Sequence, residues 1–342
     1  MHKPTPLSVL RRRFLRIAGT TASVWGLGLG LSGGALAQDK AAEKAPEQLR
    51  IGYQKSAVNL VIIKQQGTLE KRFPNTKVVW LEFPAGPQLL EALAVGSLEF
   101  GLTGDSPPVF AQAAGKDLVY VGAEPPKPDS SAVLVLNDSP IKTLADLKGR
   151  KIALQKGSSA HYLLVRAVEK AGLQWSDIQP IYLVPSDARA AFERKSVDAW
   201  AIWDPFYAAT ELAIKPRALA TGRDLTSNNS FYLASRSFAT QQPQALAVLF
   251  EELTRADQLA QSNRKDVIKL IADFSGLDAG VVSLFLQRRP PSPVGPLSAK
   301  TIADQQRVAD AFHKLGLIPQ PLQVANIVWQ PAGVRVAQAK RP

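Results

Sequence analysis

The chain has 342 residues, of which 46% are hydrophobic and 20% are charged, enough apolar material for the cores of two globular domains. It contains no cysteine and three histidines, which excludes disulfides and thiolate nucleophiles and argues against a histidine-rich metal site. The formal net charge is +12, of which the five basic residues within 1–37 contribute five, and the remaining positive charge suits an anionic ligand or a bacterial envelope without specifying nucleic acid.

The first 37 residues have the features of an export signal. Residues 11–16 (RRRFLR) match the twin-arginine pattern, residues 17–31 are apolar and glycine-rich, and residues 35–37 (ALA) form a small-x-small cleavage site. An ordinary secretory signal or a retained membrane anchor is the alternative, but the apolar stretch is shorter than the ~20 residues that a spanning helix needs. We therefore predict a twin-arginine signal peptide over 1–37 and a flexible leader over 38–48.

Strand and helix patterns then alternate as far as residue 235, which is typical of parallel α/β units. The predicted strands are 49–53, 78–83, 100–104, 118–123, 131–136, 152–155, 180–184, 197–203 and 231–235. The predicted helices between them include 58–72, 88–95, 158–170 and 186–194. After Pro243 the pattern becomes helical, over 245–261, 265–274, 279–287 and 298–315, and predicts a helical tail packed on the first lobe.

Two α/β units in the chain look alike. Residues 97–106 and 196–205 each contain a turn, an acid, an apolar strand and an aspartate that opens a helix. The similarity favours two related lobes, although chance likeness between α/β units is the alternative. Because proline lies at or near the first turn of both helices, Asp105 and Asp204 are interpreted mainly as helix N-caps.

A candidate anion site lies at residues 151–161. A short apolar strand ends in Gly157, and Ser158 and Ser159 open the next helix. Free backbone N–H groups, the positive end of the helix dipole and two hydroxyls together favour an anion there. The alternative is that one serine merely caps the helix.

Other candidate ligand-binding residues follow from the same geometry, because ligands of an open α/β sheet bind outside the carboxyl ends of its strands. Those ends carry Gln54, Thr103, Gly104, Asp105, Ser106, Gly157, Ser158, Ser159 and Trp203. His161 and Tyr232 are further candidates, with a helix surface and a half-buried strand position as their alternatives, and Lys127 is expected to be solvated. The set is neutral except for Asp105, so an anion would be bound without a buried ion pair.

The residue patterns of common catalytic and cofactor sites are missing from the sequence. It has no Gly-x-Ser-x-Gly elbow, no phosphate-binding loop ending in Gly-Lys-Ser/Thr and no metal-ligand spacing. We therefore expect no catalytic residues, no metal and no cofactor.

Several strings in the chain resemble aliphatic sulfonate-binding proteins of bacterial ABC transporters. They are FPAGPQ (83–88), LTGDSPP (102–108), VGAEPPKP (121–128), QKGSS (155–159), DAWAIWDP (198–205), SFYLA (230–234) and RRPP (288–291). The resemblance covers about residues 49–330. It departs at Ser56, where the family often has glycine after Gln-Lys.

The resemblance implies an α/β fold of the two-lobed, type II periplasmic binding protein kind, with parallel-rich sheets, helices on both sheet faces and two hinge strands. The first lobe would hold 49–135 and 236–330, the second 136–235, and 331–342 would be a tail. A sulfonate would be held by the candidate residues of both lobes, with Trp203 near its organic tail. The implied partners are an alkanesulfonate, an ABC permease and its ATPase, and the protein would be a periplasmic monomer that binds no nucleic acid.

Two kinds of alternative remain open at this point. The fold is also similar to that of an aromatic sulfinate desulfinase, an enzyme with a cysteine nucleophile that this chain lacks. Among binding proteins, taurine, an aromatic sulfonate or sulfate ester, and nitrate are the other possible ligands.

The export signal leads to a direct test. Substituting Arg11→Lys together with Arg12→Lys should leave the precursor in the cytoplasm, because the twin-arginine route reads that pair. Fractionation of cells expressing the parent and the double variant measures this. Unchanged delivery to the periplasm would show that the segment uses another export route.

Overall fold

The computed structural model describes residues 45–330, so the predicted signal peptide (1–37) and the predicted C-terminal tail (331–342) lie outside the described residues. Within this range the strands are β1 (Gln48–Tyr53), β2 (Lys77–Glu82), β3 (Phe100–Gly104), β4 (Leu118–Glu124), β5 (Ser131–Val135), β6 (Lys151–Leu154), β7 (Gln179–Tyr182), β8 (Ala199–Trp203), β9 (Arg217–Thr221) and β10 (Ser230–Ser235). The α-helices are α1 (Val58–Gln65), α2 (Thr68–Arg72), α3 (Gly86–Ala94), α4 (Ser106–Ala113), α5 (Ser159–Lys170), α6 (Pro185–Glu193), α7 (Phe206–Ile214), α8 (Arg236–Gln241), α9 (Pro243–Ser262), α10 (Arg264–Ser275), α11 (Ala279–Gln287) and α12 (Ala299–Lys314).

The strands form two five-stranded sheets with the same pattern. The first has the order β2-β1-β3-β10-β4 and the second β7-β6-β8-β5-β9. In each sheet the first three strands are parallel, and the fourth is antiparallel to both of its neighbours. The prediction of two similar α/β lobes is confirmed, and the two repeated units correspond to the central strands β3 and β8.

The chain crosses from the first sheet to the second after β4 and returns after β9. The crossing segments 125–130 and 222–229 lie side by side: the Lys127 amide donates to Ser227 O (3.1 Å), and Asn228 Nδ2 donates to Lys127 O (2.9 Å). The expected lobe boundaries at 135 and 236 place β5 with the first sheet and β10 with the second. In the structure β5 follows the first crossing and joins the second sheet, and β10 follows the return crossing and joins the first. An apolar strand does not reveal in its sequence which sheet it joins.

Two local features also differ from the sequence prediction. The expected helix 58–72 is interrupted at Gly67, which has φ of 58° and separates α1 from α2. Strand β9 was not predicted, because its residues are only partly buried and lack a clear apolar alternation. Neither difference moves the strand ends that form the candidate site.

Helices cover both faces of each sheet and bury an apolar core there. On the first sheet, one core packs β1, β3 and β10 against α1 and α8–α11, and the other packs β4 and β10 against α3, α4 and α12. The second sheet is covered by α5 on one face and by α6 and α7 on the other. The helical tail therefore packs on the first sheet, as expected. Of the helices described, none has the length and apolarity to cross a membrane.

The contact between the crossing segments is tight enough to test. A Cβ added at Gly222 would lie 2.4 Å from the Pro128 carbonyl oxygen, whereas one added at Gly295 would meet nothing within 4 Å. Gly222→Ala should therefore lower the free energy of unfolding by about 1–3 kcal/mol, the usual cost of overpacking. Urea denaturation of both variants measures the effect. Equal stability of Gly222→Ala and Gly295→Ala would contradict the close packing of the crossings.

Candidate functional site

A cavity of about 60 Å³ lies between the two sheets at the carboxyl ends of their strands. Its walls combine strand ends of both sheets, the crossing segments and the end of α11. The lining residues are Gln54, Ser56, Gly86, Leu102, Thr103, Gly104, Pro107, Lys127, Ser130, Ser158, Ser159, Trp203, Asp204, Asn228, Ser230, Phe285 and Arg289.

The first sheet contributes the ends of β1 and β3 to this cavity. Gln54 follows β1, and its Nε2 donates to Leu102 O (3.2 Å). The Thr103 hydroxyl is buried and has no hydrogen-bond partner within the part of the chain that the structure describes. A Cβ at Gly86 would lie 2.0 Å from that hydroxyl oxygen, so glycine at 86 leaves the space that Thr103 occupies.

The second sheet contributes the turn after β6. Gly157 adopts φ of 72°, a conformation that favours glycine, and Ser158 is the N-cap residue of α5. The Ser158 hydroxyl donates to Gln155 O (2.8 Å). The Gly157 amide donates to His161 Nδ1 (3.2 Å), so this N–H is already paired inside the protein.

The two sheets touch at Gly104 and Ser159. The Asp105 amide donates to Ser159 Oγ (3.2 Å) across the cavity edge. A Cβ on Gly104 would lie 2.0 Å from the same Oγ, far inside contact distance. Only glycine at 104 allows this approach, and the contact brings the Ser158–Ser159 helix start to the end of β3.

Six of the eleven sequence-predicted residues line the cavity, namely Gln54, Thr103, Gly104, Ser158, Ser159 and Trp203. The other five, Asp105, Ser106, Gly157, His161 and Tyr232, lie behind or beside its wall.

Their contacts explain why they do not reach it. Asp105 is buried, which raises the pKa of its carboxyl, and it accepts a hydrogen bond from the Ser106 hydroxyl (3.0 Å). The Tyr232 hydroxyl donates to Glu124 Oε1 (2.9 Å) inside the first sheet's core.

His161 is enclosed by aromatic rings of both lobes rather than exposed on a helix surface. Its ring centroid lies 6.3 Å from Phe110 and 5.2 Å from Phe312, which belong to α4 and α12, and 5.1 Å from Trp175. Burial, and secondarily the charge of Lys156, lowers its pKa from 6.5 to about 4. At neutral pH the ring is therefore uncharged and can accept the Gly157 N–H through Nδ1.

Two cations line the cavity, which the sequence had predicted to be neutral. Lys127 is not solvated, since only 13% of its side chain is exposed, and its Nζ contacts Glu124 Oε2 (2.7 Å) and Ser230 Oγ (2.8 Å). Arg289 donates to Asp257 Oδ1 and Asn59 Oδ1, both at 3.0 Å. The strings VGAEPPKP and RRPP contain these two residues, but neither string reveals that its basic side chain turns inward.

Asp204 was interpreted as the N-cap of the next helix, but Pro205 occupies that position and Asp204 precedes it. Its Oδ1 accepts from the Ala208 amide (3.0 Å) at the start of α7. The residue also lines the cavity, which its capping pattern did not indicate.

Comparison with known proteins agrees with this architecture. Residues 78–276 match the family model described as NMT1/THI5 like. A putative aliphatic sulfonates-binding protein of Escherichia coli K12 is 52% identical over 291 residues, which are 85% of this chain and 91% of that protein.

Solved structures show the same similarity. The alkanesulfonate-binding protein SsuA from Xanthomonas axonopodis pv. citri, bound to MOPS, has a TM-score of 0.81 and 51% identity over 84% of this chain and 99% of that one. The periplasmic aliphatic sulphonate binding protein SsuA from Escherichia coli has a TM-score of 0.78 and 50% identity over 87% and 97%.

Two matched sheets joined by two crossings, with a cavity between their strand ends, define the class of two-lobed periplasmic binding proteins. The chain belongs to the NMT1/THI5-like family and, within it, to the branch of aliphatic sulfonate-binding proteins. It is accordingly a binding protein and not an enzyme, which decides against the desulfinase alternative.

The depressed pKa of His161 predicts a pH-dependent stability. The unfolded chain binds a proton on His161 below pH 6.5, whereas the folded protein resists it down to about pH 4, so stability should be lost as pH falls through that window. The shift corresponds to roughly 3–4 kcal/mol at about 1.4 kcal/mol per pH unit.

Denaturant titrations between pH 7 and pH 4 measure this dependence. The variant His161→Gln should lose clearly less stability over that range than the parent, and His313→Gln, at an exposed site, should behave like the parent. Parallel pH profiles for His161→Gln and the parent would contradict the assignment to His161.

Proposed function

We propose that the protein captures aliphatic sulfonates in the cavity between its two sheets and delivers them to the permease and ATPase of an ABC importer. The observation that carries this proposal is the contact of Ser159, at the N-terminus of α5, with Gly104 at the end of β3, in a cavity that Ser158 also lines. A helix start lined with hydroxyls suits an anion with several oxygens. The names of the relatives identify the anion as a sulfonate, and MOPS is itself a sulfonate.

The charges around the cavity favour such an anion. Lys127 and Arg289 contribute a positive potential, while their pairing with Glu124 and Asp257 holds them in place. A monoanion can therefore be attracted without forming a new ion pair, since the direct contacts come from hydroxyls and amides. A sulfonate stays ionised throughout the neutral range, so its binding there needs no proton transfer.

The two sheets act in this proposal as lobes that close on the ligand. The crossing segments 125–130 and 222–229 are the hinge, and the contact between Gly104 and Ser159 belongs to the closed form. The protein works as a monomer in the periplasm, after export directed by residues 1–37. Taurine, aromatic sulfonates and nitrate are the competing ligands. Taurine and aromatic sulfonates differ from simple alkanesulfonates in the tail, whereas nitrate has no organic tail, and all of them need an anion-binding site.

Serine substitutions test whether Ser158 and Ser159 bind the anion. Ser159→Ala should weaken alkanesulfonate binding by about 1–3 kcal/mol, roughly tenfold to hundredfold, because hydrogen bonds to a charged partner are strong. Ser158→Ala should cost less, since the Ser158 hydroxyl already donates to Gln155 O.

Isothermal titration calorimetry with propane-1-sulfonate on the two variants and their double variant measures these losses. Ser186→Ala is the matched control, because Ser186 is an exposed serine in the first turn of α6 in the same lobe. It should bind like the parent. A folded double variant with the parent's affinity would mean that the two serines only cap α5 and that the anion binds elsewhere.

A further inference from the structure

The side chain of Arg288 connects the two lobes through three contacts. Arg288 is the C-cap residue of α11, which packs on the first sheet, whereas its partners lie at the end of β8 and in α7, on the second sheet. Its Nη1 donates to Asp204 Oδ1 (3.2 Å), and its Nη2 pairs with Glu211. Its guanidinium carbon lies 3.8 Å from the centroid of the Tyr207 ring. One side chain of the first lobe therefore binds three side chains of the second.

These contacts are shielded from water, which strengthens the attraction between their charges. The side chain of Arg288 is 13% exposed, and that of Asp204 is 1% exposed. Burial raises the pKa of Asp204 to about 7, and the charge of Arg288 opposes that rise. Loss of the guanidinium would leave the buried carboxylate without its cation, which is costly.

The position of Arg288 separates its role from direct contact with a ligand. It does not line the cavity, although Asp204 does. Both residues are tied to the first crossing segment: the Ser130 hydroxyl donates to Arg288 O (3.4 Å), and the Asp204 amide donates to Ser130 O (2.9 Å). The contacts of Arg288 thus lie between the hinge and the cavity wall, where they can act on a ligand through the position of the lobes.

Separation of the lobes would break these contacts together, because Arg288 moves with α11 and its three partners move with β8 and α7. Their free energy therefore favours the closed form over the open one. A ligand that is enclosed between the lobes gains apparent affinity from anything that favours the closed form. It is also released more slowly, since release requires the lobes to part.

We propose that Arg288 is a positioning residue that holds the second lobe against the first in the closed form, and that it thereby sets how long a bound sulfonate is retained. This inference rests on the proposed function and on the closing of the lobes. It adds a residue outside the cavity that controls the release of the ligand.

Dissociation kinetics test this role at pH 8, where most of Asp204 is ionised. In stopped-flow fluorescence with propane-1-sulfonate, Arg288→Gln should raise the dissociation rate constant about tenfold or more, as expected for the loss of a hydrogen bond between charged groups. The association rate constant should stay nearly unchanged, because the ligand enters the open form, in which Arg288 is not yet paired. Trp203, in the cavity wall, supplies the signal.

Two further variants separate this role from a general effect on the fold. Arg264→Gln is the matched control, because Arg264 Nη1 donates to Leu286 O (2.9 Å) at the same end of α11, a contact within the first lobe. Its dissociation rate constant should equal the parent's. Glu211→Gln should raise the constant in the parent but have no further effect in the Arg288→Gln background, where the pair is already lost.

Spin labels report the position of the lobes without any ligand. The chain has no cysteine, so Ser97→Cys and Ser196→Cys can each carry one label, at exposed and equivalent turns of the two repeated units. The ligand-free parent should populate the label distances of the closed form, and Arg288→Gln should populate them less.

The outcomes separate this proposal from the proposed function. A dissociation rate constant in Arg288→Gln that equals the parent's, or an equal rise in Arg264→Gln, overturns the role of Arg288 while leaving sulfonate binding intact. If the parent does not bind propane-1-sulfonate, the proposed function fails and the ligand-free label distances decide: identical distributions in the parent and Arg288→Gln refute the role. If Arg288→Gln does not fold, Glu211→Gln replaces it, and an unchanged dissociation rate constant in that variant refutes the role.

Discussion

The approach of Ser159 to Gly104 is the contact on which the candidate site depends. It brings the N-terminus of α5, which packs on the second sheet, against the end of β3 in the first sheet. The contact therefore places anion-binding groups inside a closed space. The space exists only because residue 104 has no side chain. Aligned N–H groups at a helix start are far more effective toward an anion in such a water-poor space than at an open surface.

Buried charges on the other side of the cavity make that arrangement rigid. Glu124, Lys127, Asp257 and Arg289 pair with one another across the first crossing segment, β4 and α9. Breaking one of these pairs would leave an uncompensated buried charge, so the pairs constrain where the crossings run. The cavity lining thus combines neutral hydroxyl donors with paired charged side chains. Asp204 also lines the cavity, and its Oδ2 has no hydrogen-bond partner within the described chain.

The residues at the strand ends show which parts of the site sequence patterns could predict. Apolar strands followed by glycine, serine or aspartate identified Gln54, Thr103, Gly104, Ser158, Ser159 and Trp203, and all six line the cavity. The rule works because parallel strands bring their carboxyl ends to one edge of a sheet. It failed to separate residues that face the cavity from their immediate neighbours, since Asp105, Ser106 and Gly157 follow the same strands but point away. His161 shows the same limit: its enclosure by Phe110 and Phe312 joins rings distant in sequence.

The sequence by itself determined the alternation of strands and helices, the two similar units, the helical tail and the glycine-serine turn, because each of these depends on local patterns of apolarity and backbone preference. The resemblance of its strings to sulfonate-binding proteins determined the family. Only the tertiary structure decided that β5 joins the second sheet and β10 the first, and that Lys127 and Arg289 line the cavity. It also decided that Asp204, at the end of β8, lines the cavity. These properties depend on contacts between residues far apart in the chain, which no local pattern encodes.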